Sequence, residues 1–197
     1  MKLTYFTKAS TLTLLLASAV SGFVMASATH LLPYFAETVL GLQKGAAGLS
    51  VTPLAISSVL ASLVGGYMVD KAGAKRVLIY GLVLTLTGGI ALAMGLESLT
   101  LFYPLIAIMG FGIGIIIGAP LNVLILQAVD PAETGLAVGY ISLFRSLGST
   151  LGPTVAGLFL TSFSNGFQPL FAVSALVSGA TIVMLVLSRR RSRLVSA

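Results

Sequence analysis

Few residues of this chain carry side chains that do chemistry, and most of them stand alone in apolar surroundings. His30 is the only histidine. Histidine is the side chain that readily gains and loses a proton near neutral pH, so His30 can relay a proton or simply bond a neighbouring backbone carbonyl. Arg145 is one cation inside an otherwise apolar run from Gly135 to Phe163. It can hold an anion, tune a protonatable partner, snorkel toward an interface or pack between helices. The amides of Asn122 and Gln127 can bond a solute or bridge helices. The one charged cluster, Asp70-Lys71-Ala72-Gly73-Ala74-Lys75-Arg76, places an acid, a glycine turn and three bases within reach of each other. Such a hinge can form an ion pair in one conformation and break it in another. Glu37 stands where an apolar run ends, within reach of water.

Other chemistry lacks its residues. There is no cysteine, hence no disulfide, thiolate nucleophile or cysteine-held metal. One histidine without a Gly-x-Ser-x-Gly turn does not make a serine hydrolase. No Gly-x-x-x-x-Gly-Lys-Ser/Thr loop is present to cradle ATP. No His/Asp/Glu group has metal-ligand spacing. The expectation is a non-enzyme with no metal and no cofactor. No acid falls in the middle of an apolar run, so the chain offers no carboxylate for proton coupling there.

The elements that position these residues follow from composition. Of 197 residues, 57% are hydrophobic and 8% charged, and the mean hydropathy is +1.07. Soluble domains carry about 25% charged residues, and sixteen charges cannot cover a soluble fold of this size. The net charge of +6 therefore does not point to nucleic acid. The chain reads as an all-α integral membrane protein in a lipid bilayer. A bilayer-crossing helix needs about 20 apolar residues, and the charge-free runs predict six spans near 11–35, 45–69, 76–95, 101–127, 132–162 and 168–188, forming one transmembrane domain over 1–197. The runs do not alternate as barrel strands would. Asp130-Pro131-Ala132-Glu133 predicts a capped start for the fifth helix, and Ser164-Asn165-Gly166 a turn before the sixth.

Charge gives the orientation. Lys2, Lys8, Lys71, Lys75, Arg76, Arg189, Arg190, Arg191 and Arg193 fall on one side of a six-span layout, and only Lys44 on the other. Positive residues mark the cytoplasmic side, so both termini are expected there. The arginine-rich tail fixes topology or holds anionic lipid headgroups. Lys2, Lys8, the following apolar run and Ala26-Ser27-Ala28 also fit a secretory signal cleaved after Ala28, although the apolar character continues through Leu31-Leu32-Pro33-Tyr34-Phe35.

Glycine indicates the packing. The 22 glycines exceed the usual share of about 7%. Gly110, Gly114 and Gly118 line one face of the fourth span, and Gly148 and Gly152 one face of the fifth. Small residues at this spacing let helices approach closely in lipid. Pro120 and Pro153 are expected to bend or loosen their helices.

Gly66, Asp70, Lys71, Gly73 and Lys75, between the second and third spans, resemble the Gly-x-x-x-Asp-Arg/Lys-x-Gly-Arg-Arg/Lys signature of the major facilitator superfamily, with Ala74 in place of a basic residue. Gly148, Gly152, Pro153 and Gly157 resemble the Gly-x-x-x-Gly-Pro-x-x-Gly-Gly antiporter motif, with Ala156 in place of a glycine. Further segments, Leu32-Pro33-Tyr34-Phe35 through Leu42 and Thr52-Pro53-Leu54, are similar to fourteen-span drug:proton antiporters. The resemblance implies the carboxyl-terminal six-helix half of a multidrug:proton antiporter, in a bacterial plasma membrane. It implies a small-molecule substrate, a proton as coupling ion, and alternating access between two halves. This length supplies one half, so the implied partner is a second copy or a separate amino-terminal half. The alternative is a non-transporting subunit or an inactive half-transporter.

Overall fold

The computed structural model describes residues 9–94, 99–162 and 167–195. Lys2, Lys8, the Ser164-Asn165-Gly166 turn and the side chains of Arg189, Arg190, Arg191 and Arg193 lie outside what is described. The described chain is helical, with no strand. In order it forms α1 (Ala9–Thr38), α2 (Lys44–Leu49), α3 (Thr52–Ala72), α4 (Ala74–Ala93), α5 (Leu99–Ile117), α6 (Ala119–Ala128), a 3₁₀ turn at Pro131–Glu133, α7 (Thr134–Ser162) and α8 (Phe167–Val195). Among the described residues, five stretches are long and apolar enough to cross a bilayer: Thr11–Thr38, Lys44–Ala72, Ala74–Ala93, Thr100–Ala128 and Phe167–Leu187. The sixth expected span, α7, has 29 residues, about 43 Å of helix. It is long enough, but Arg145 and its many glycines, serines and threonines leave it less apolar than the other five.

Proline and glycine set the interruptions. The second span pauses at Ser50-Val51, and Pro53 then sits in the first turn of α3, where a missing N–H leaves no acceptor unpaired. The fourth span breaks at Gly118, whose ψ of −137° leaves the helical region, and Pro120 sits in the first turn of α6. Pro153 does not break α7, which runs through it as one helix; contacts with α1 at Gly152 and Ala156 flank it on both sides. The fifth helix also starts differently from the sequence reading. Asp130 makes no side-chain capping bond, and Pro131–Glu133 forms a 3₁₀ turn in which the Glu133 N–H donates to the Asp130 carbonyl at 2.9 Å.

The helices pack in a chain: α7 on α1, α1 on α8, α8 on α4, α4 on α5, and α5 on α3. Among the described residues, the two largest of four buried apolar clusters fill most of the interior. One joins Val24, Leu32, Leu54, Met109 and an aromatic group in which Phe35 stacks on Phe102 at 5.2 Å and meets Phe167 edge-on at 5.1 Å. The other, toward the opposite end, joins Leu14, Leu15, Leu78, Leu82, Leu121, Ile125 and Ile141. Cleavage after Ala28 would remove Leu14, Leu15 and Ala17 from this second cluster, and with them much of its α1 wall.

Candidate functional site

The α1–α7 seam carries two of the sequence candidates. Gly22 sits against the Arg145 carbonyl, Gly148 against the Ala19 carbonyl, and a Cβ at Gly152 would lie 2.6 Å from the Phe23 carbonyl oxygen. These are backbone-to-backbone approaches that only glycine permits. The Ser18 hydroxyl donates to the Ile141 carbonyl at 2.6 Å and ties the helices one turn below. Arg145 is half-buried beside this seam, and its Nε is buried without a hydrogen-bond partner among the described residues. The Ser27 hydroxyl, buried next to Gly152, has no partner there either. Gly22 and Ser27 were not among the sequence candidates. The four-residue spacing of Ser18, Gly22 and Ala26 is the signal that marks this face of α1.

His30 lies on the exposed face of α1, and its Nδ1 donates to the Ala26 carbonyl at 2.8 Å. It follows Gly22, the residue against Arg145, by eight positions, or about 12 Å of helix rise. The structure therefore does not gather His30 and Arg145 into one group. Glu37 is exposed two turns beyond. Asn122 is half-buried on α6, where its neighbours Leu121 and Ile125 pack in the cluster that includes Leu14 and Leu15.

The charged hinge turns at Gly73, whose φ of +85° is a conformation that residues with a Cβ rarely adopt. Gly73 caps α3 by donating to the Val69 carbonyl at 2.9 Å, and it begins α4. The turn sends the charges in two directions. Asp70 is exposed on α3 with no ion-pair partner among the described residues, and Lys71 Nζ rests 4.5 Å from the centre of the Tyr67 ring. Lys75 and Arg76 instead line a cleft of about 360 Å³ together with Gln127. Gln127 thus belongs with the hinge bases rather than with Asn122, from which it is separated by more than a turn of α6.

Besides the hinge glycine Gly73, two helical glycines of the recognised motifs have open space where a side chain would be. A Cβ added to Gly66 or to Gly157 would meet nothing within 4 Å. Gly148 and Gly152, from the same motif as Gly157, are used by the seam. Gly66 shares the open face of α3 with Asp70, and Gly157 shares the open face of α7 with Thr150 and Thr154.

A bundle of long apolar helices with a basic hinge at one end defines an integral membrane protein. The sequence profile of the Major Facilitator Superfamily matches residues 14–196, and the chain belongs to that superfamily. It is 32% identical over 148 residues to the uncharacterized MFS-type transporter YfiU of Bacillus subtilis (strain 168), covering 75% of this chain and 28% of that protein. It is 31% identical over 144 residues to the multidrug transporter protein MdtP of the same organism, covering 71% of this chain and 26% of that protein. The chain thus spans about a quarter of the length of these relatives. Its fold is similar to that of the POT family transporter PepTSo, with a TM-score of 0.81 at 18% identity, over 93% of this chain and 38% of that one.

Proposed function

We propose that this chain is the carboxyl-terminal-type six-span half of a proton-coupled exporter of small molecules, working by alternating access in a bacterial plasma membrane with both termini cytoplasmic. The second half is another copy of the chain or a separate amino-terminal half. The observation that carries this reading is the pair of open faces on α3 and α7. There an added Cβ at Gly66 or Gly157 would meet nothing within 4 Å and Asp70 is exposed, as expected of motif residues that meet helices of a second half. In this scheme Asp70, Lys71 and Lys75 gate the cytoplasmic hinge. Arg145 and His30 are the polar groups offered to substrate or proton, and the coupling carboxylate resides in the other half. The likeness to MdtP, a multidrug transporter protein, supports a drug as substrate.

The test is reconstitution of the purified chain in liposomes under an imposed proton gradient, with a panel of lipophilic cations and neutral drugs. Saturable dissipation of the gradient is expected, and Asp70→Ala is expected to change it while leaving membrane insertion intact. Unchanged flux in that variant removes the gating role. Absence of flux from folded, inserted protein favours a non-transporting subunit or an inactive half.

A further inference from the structure

Arg145 is the one charged residue placed well inside a span. The five acids, Glu37, Asp70, Glu97, Asp130 and Glu133, all fall at span ends or between spans. α7 runs from Thr134 to Ser162, and Arg145 lies about 5 Å from its midpoint at Gly148. Its Nε is buried without a hydrogen-bond partner, and its guanidinium makes no ion pair or hydrogen bond with any described residue. At 3.6 residues per turn, the exposed surface of α7 divides into two sectors. Leu136, Leu143, Leu147, Leu151 and Leu158 form an apolar one, each more than half exposed. Ser142, Ser146, Thr150 and the open Gly157 form a polar one. Arg145 borders the polar sector, three residues after Ser142 and four before the half-buried Ser149. The Ser149 and Thr150 hydroxyls donate back to the Ser146 carbonyl at 2.9 and 3.0 Å, so their protons are taken. The Ser142 hydroxyl is exposed and donates to no described residue. A helical side chain leans toward the helix N-terminus, which carries the guanidinium over the turn that holds Ser142.

We infer that Arg145 binds the carboxylate of a lipophilic organic anion on the polar sector of α7, with Ser142 as a second donor. The inference rests on the transport reading in taking that sector as a wall reached by water and solute. A cation near mid-membrane is costly unless it faces a cavity or meets a counter-charge, and no acid of this chain lies at its depth. The planar fork of a guanidinium offers two parallel N–H groups to one carboxylate, and one positive charge balances one negative. A phosphate would bring about two negative charges at neutral pH against the single cation. An apolar body on the anion suits the depth, since a bare inorganic ion loses more on leaving water. The sign of the site sets the ligand class. Among solutes of the same apolar bulk, it favours the anion over the neutral molecule and the cation.

Equilibrium dialysis of radiolabelled 2-naphthoate against the purified full chain in micelles tests the assignment, with protein-free micelles as the blank. Saturable binding is expected at neutral pH, displaced by unlabelled naphthoate but not by the neutral 2-naphthamide. Arg145→Gln should fold, since it removes a charge from the bilayer interior. It should weaken binding by about tenfold or more, the worth of a charged hydrogen bond. Arg145→Lys keeps the charge but loses the fork, and should fall between the two. Ser142→Ala should weaken binding by about threefold. No saturable binding, equal displacement by naphthamide, or undiminished binding in Arg145→Gln overturns the site. Displacement by equimolar dioleoylphosphatidylglycerol would show that Arg145 reaches the lipid headgroup layer, and would overturn the solute assignment. Naphthoate binding without flux in the liposome assay supports the site and counts against the transport reading. Drug flux without naphthoate binding overturns the site and leaves transport standing.

Discussion

The α1–α7 seam and the outer face of α3 use the same residue type for opposite ends. At the seam, Gly22, Gly148 and Gly152 bring two backbones together, and any added side-chain atom would overlap a carbonyl or crowd it. On α3, Gly66 faces open space, and the surrounding Leu63 and Tyr67 are 71% and 61% exposed. The burial of the helices follows the same division: 61% of the apolar window of α1 is buried, against 22% for the span containing α3. A glycine in a membrane helix is thus informative only when its neighbour is known. In one region glycine is consumed by the chain itself, and in the other it is left over.

The comparison can be broken most forcefully at the seam. Gly148→Leu should cost about 3 kcal/mol or more, because the clash is with main chain that cannot rotate away. Loss of the monodisperse folded species in detergent is the readout, and a folded variant of native stability would show that the α1–α7 contact is not what holds these helices. Gly22→Ala meets the Arg145 carbonyl with a single methyl and should cost about 1–3 kcal/mol, measured by thermal or denaturant unfolding in micelles. Gly81→Ala should cost less, about 1 kcal/mol. A Cβ there would lie 2.9 Å from the Gly112 carbonyl oxygen, the Ile115 Cγ2 and the Ile116 Cγ1, a milder overlap than the one at Gly22.

The smallest effects on stability are expected on the open faces, and they sharpen the contrast. Gly66→Ala and Gly157→Ala should leave the isolated chain unchanged or raise its stability by up to about 1 kcal/mol, the helix preference of alanine over glycine. If a second half packs there, Gly157→Leu should reduce flux in the reconstituted system while the unfolding midpoint stays put. Flux unaffected by Gly157→Leu would place the partner interface elsewhere.

Much of the fold was legible because apolar length and charge placement are one-dimensional quantities. The start of the third span moved only from 76 to Ala74, and the expected end of the second was extended from 69 to Ala72. Pro120 marked the fourth-span break because its ring excludes a donor from the helix interior. Pro153 carries the same chemical defect, yet α7 continues, since packing against α1 supports it on either side. The site was less legible. Asn122 and Gln127 look alike in sequence, but they occupy different sides of α6, and only the second meets Lys75 and Arg76. His30 and Arg145, the two isolated polar groups, are separated along the seam because the pairing of Gly22 with Arg145 sets the register of α1 against α7.

The sequence by itself determined that this is an apolar, all-helical membrane chain of the major facilitator type, with a basic hinge at Asp70–Arg76. Those properties depend on composition, run length and local spacing, which need no contacts to be read. Only the tertiary structure decided which glycines are packed and which are open, that the hinge sends Asp70 and Lys75 to different surfaces, and that Gln127 joins the cationic cleft. Each of these depends on the rotation and register of one helix against another. Distant backbone contacts fix both, and no stretch of sequence contains them.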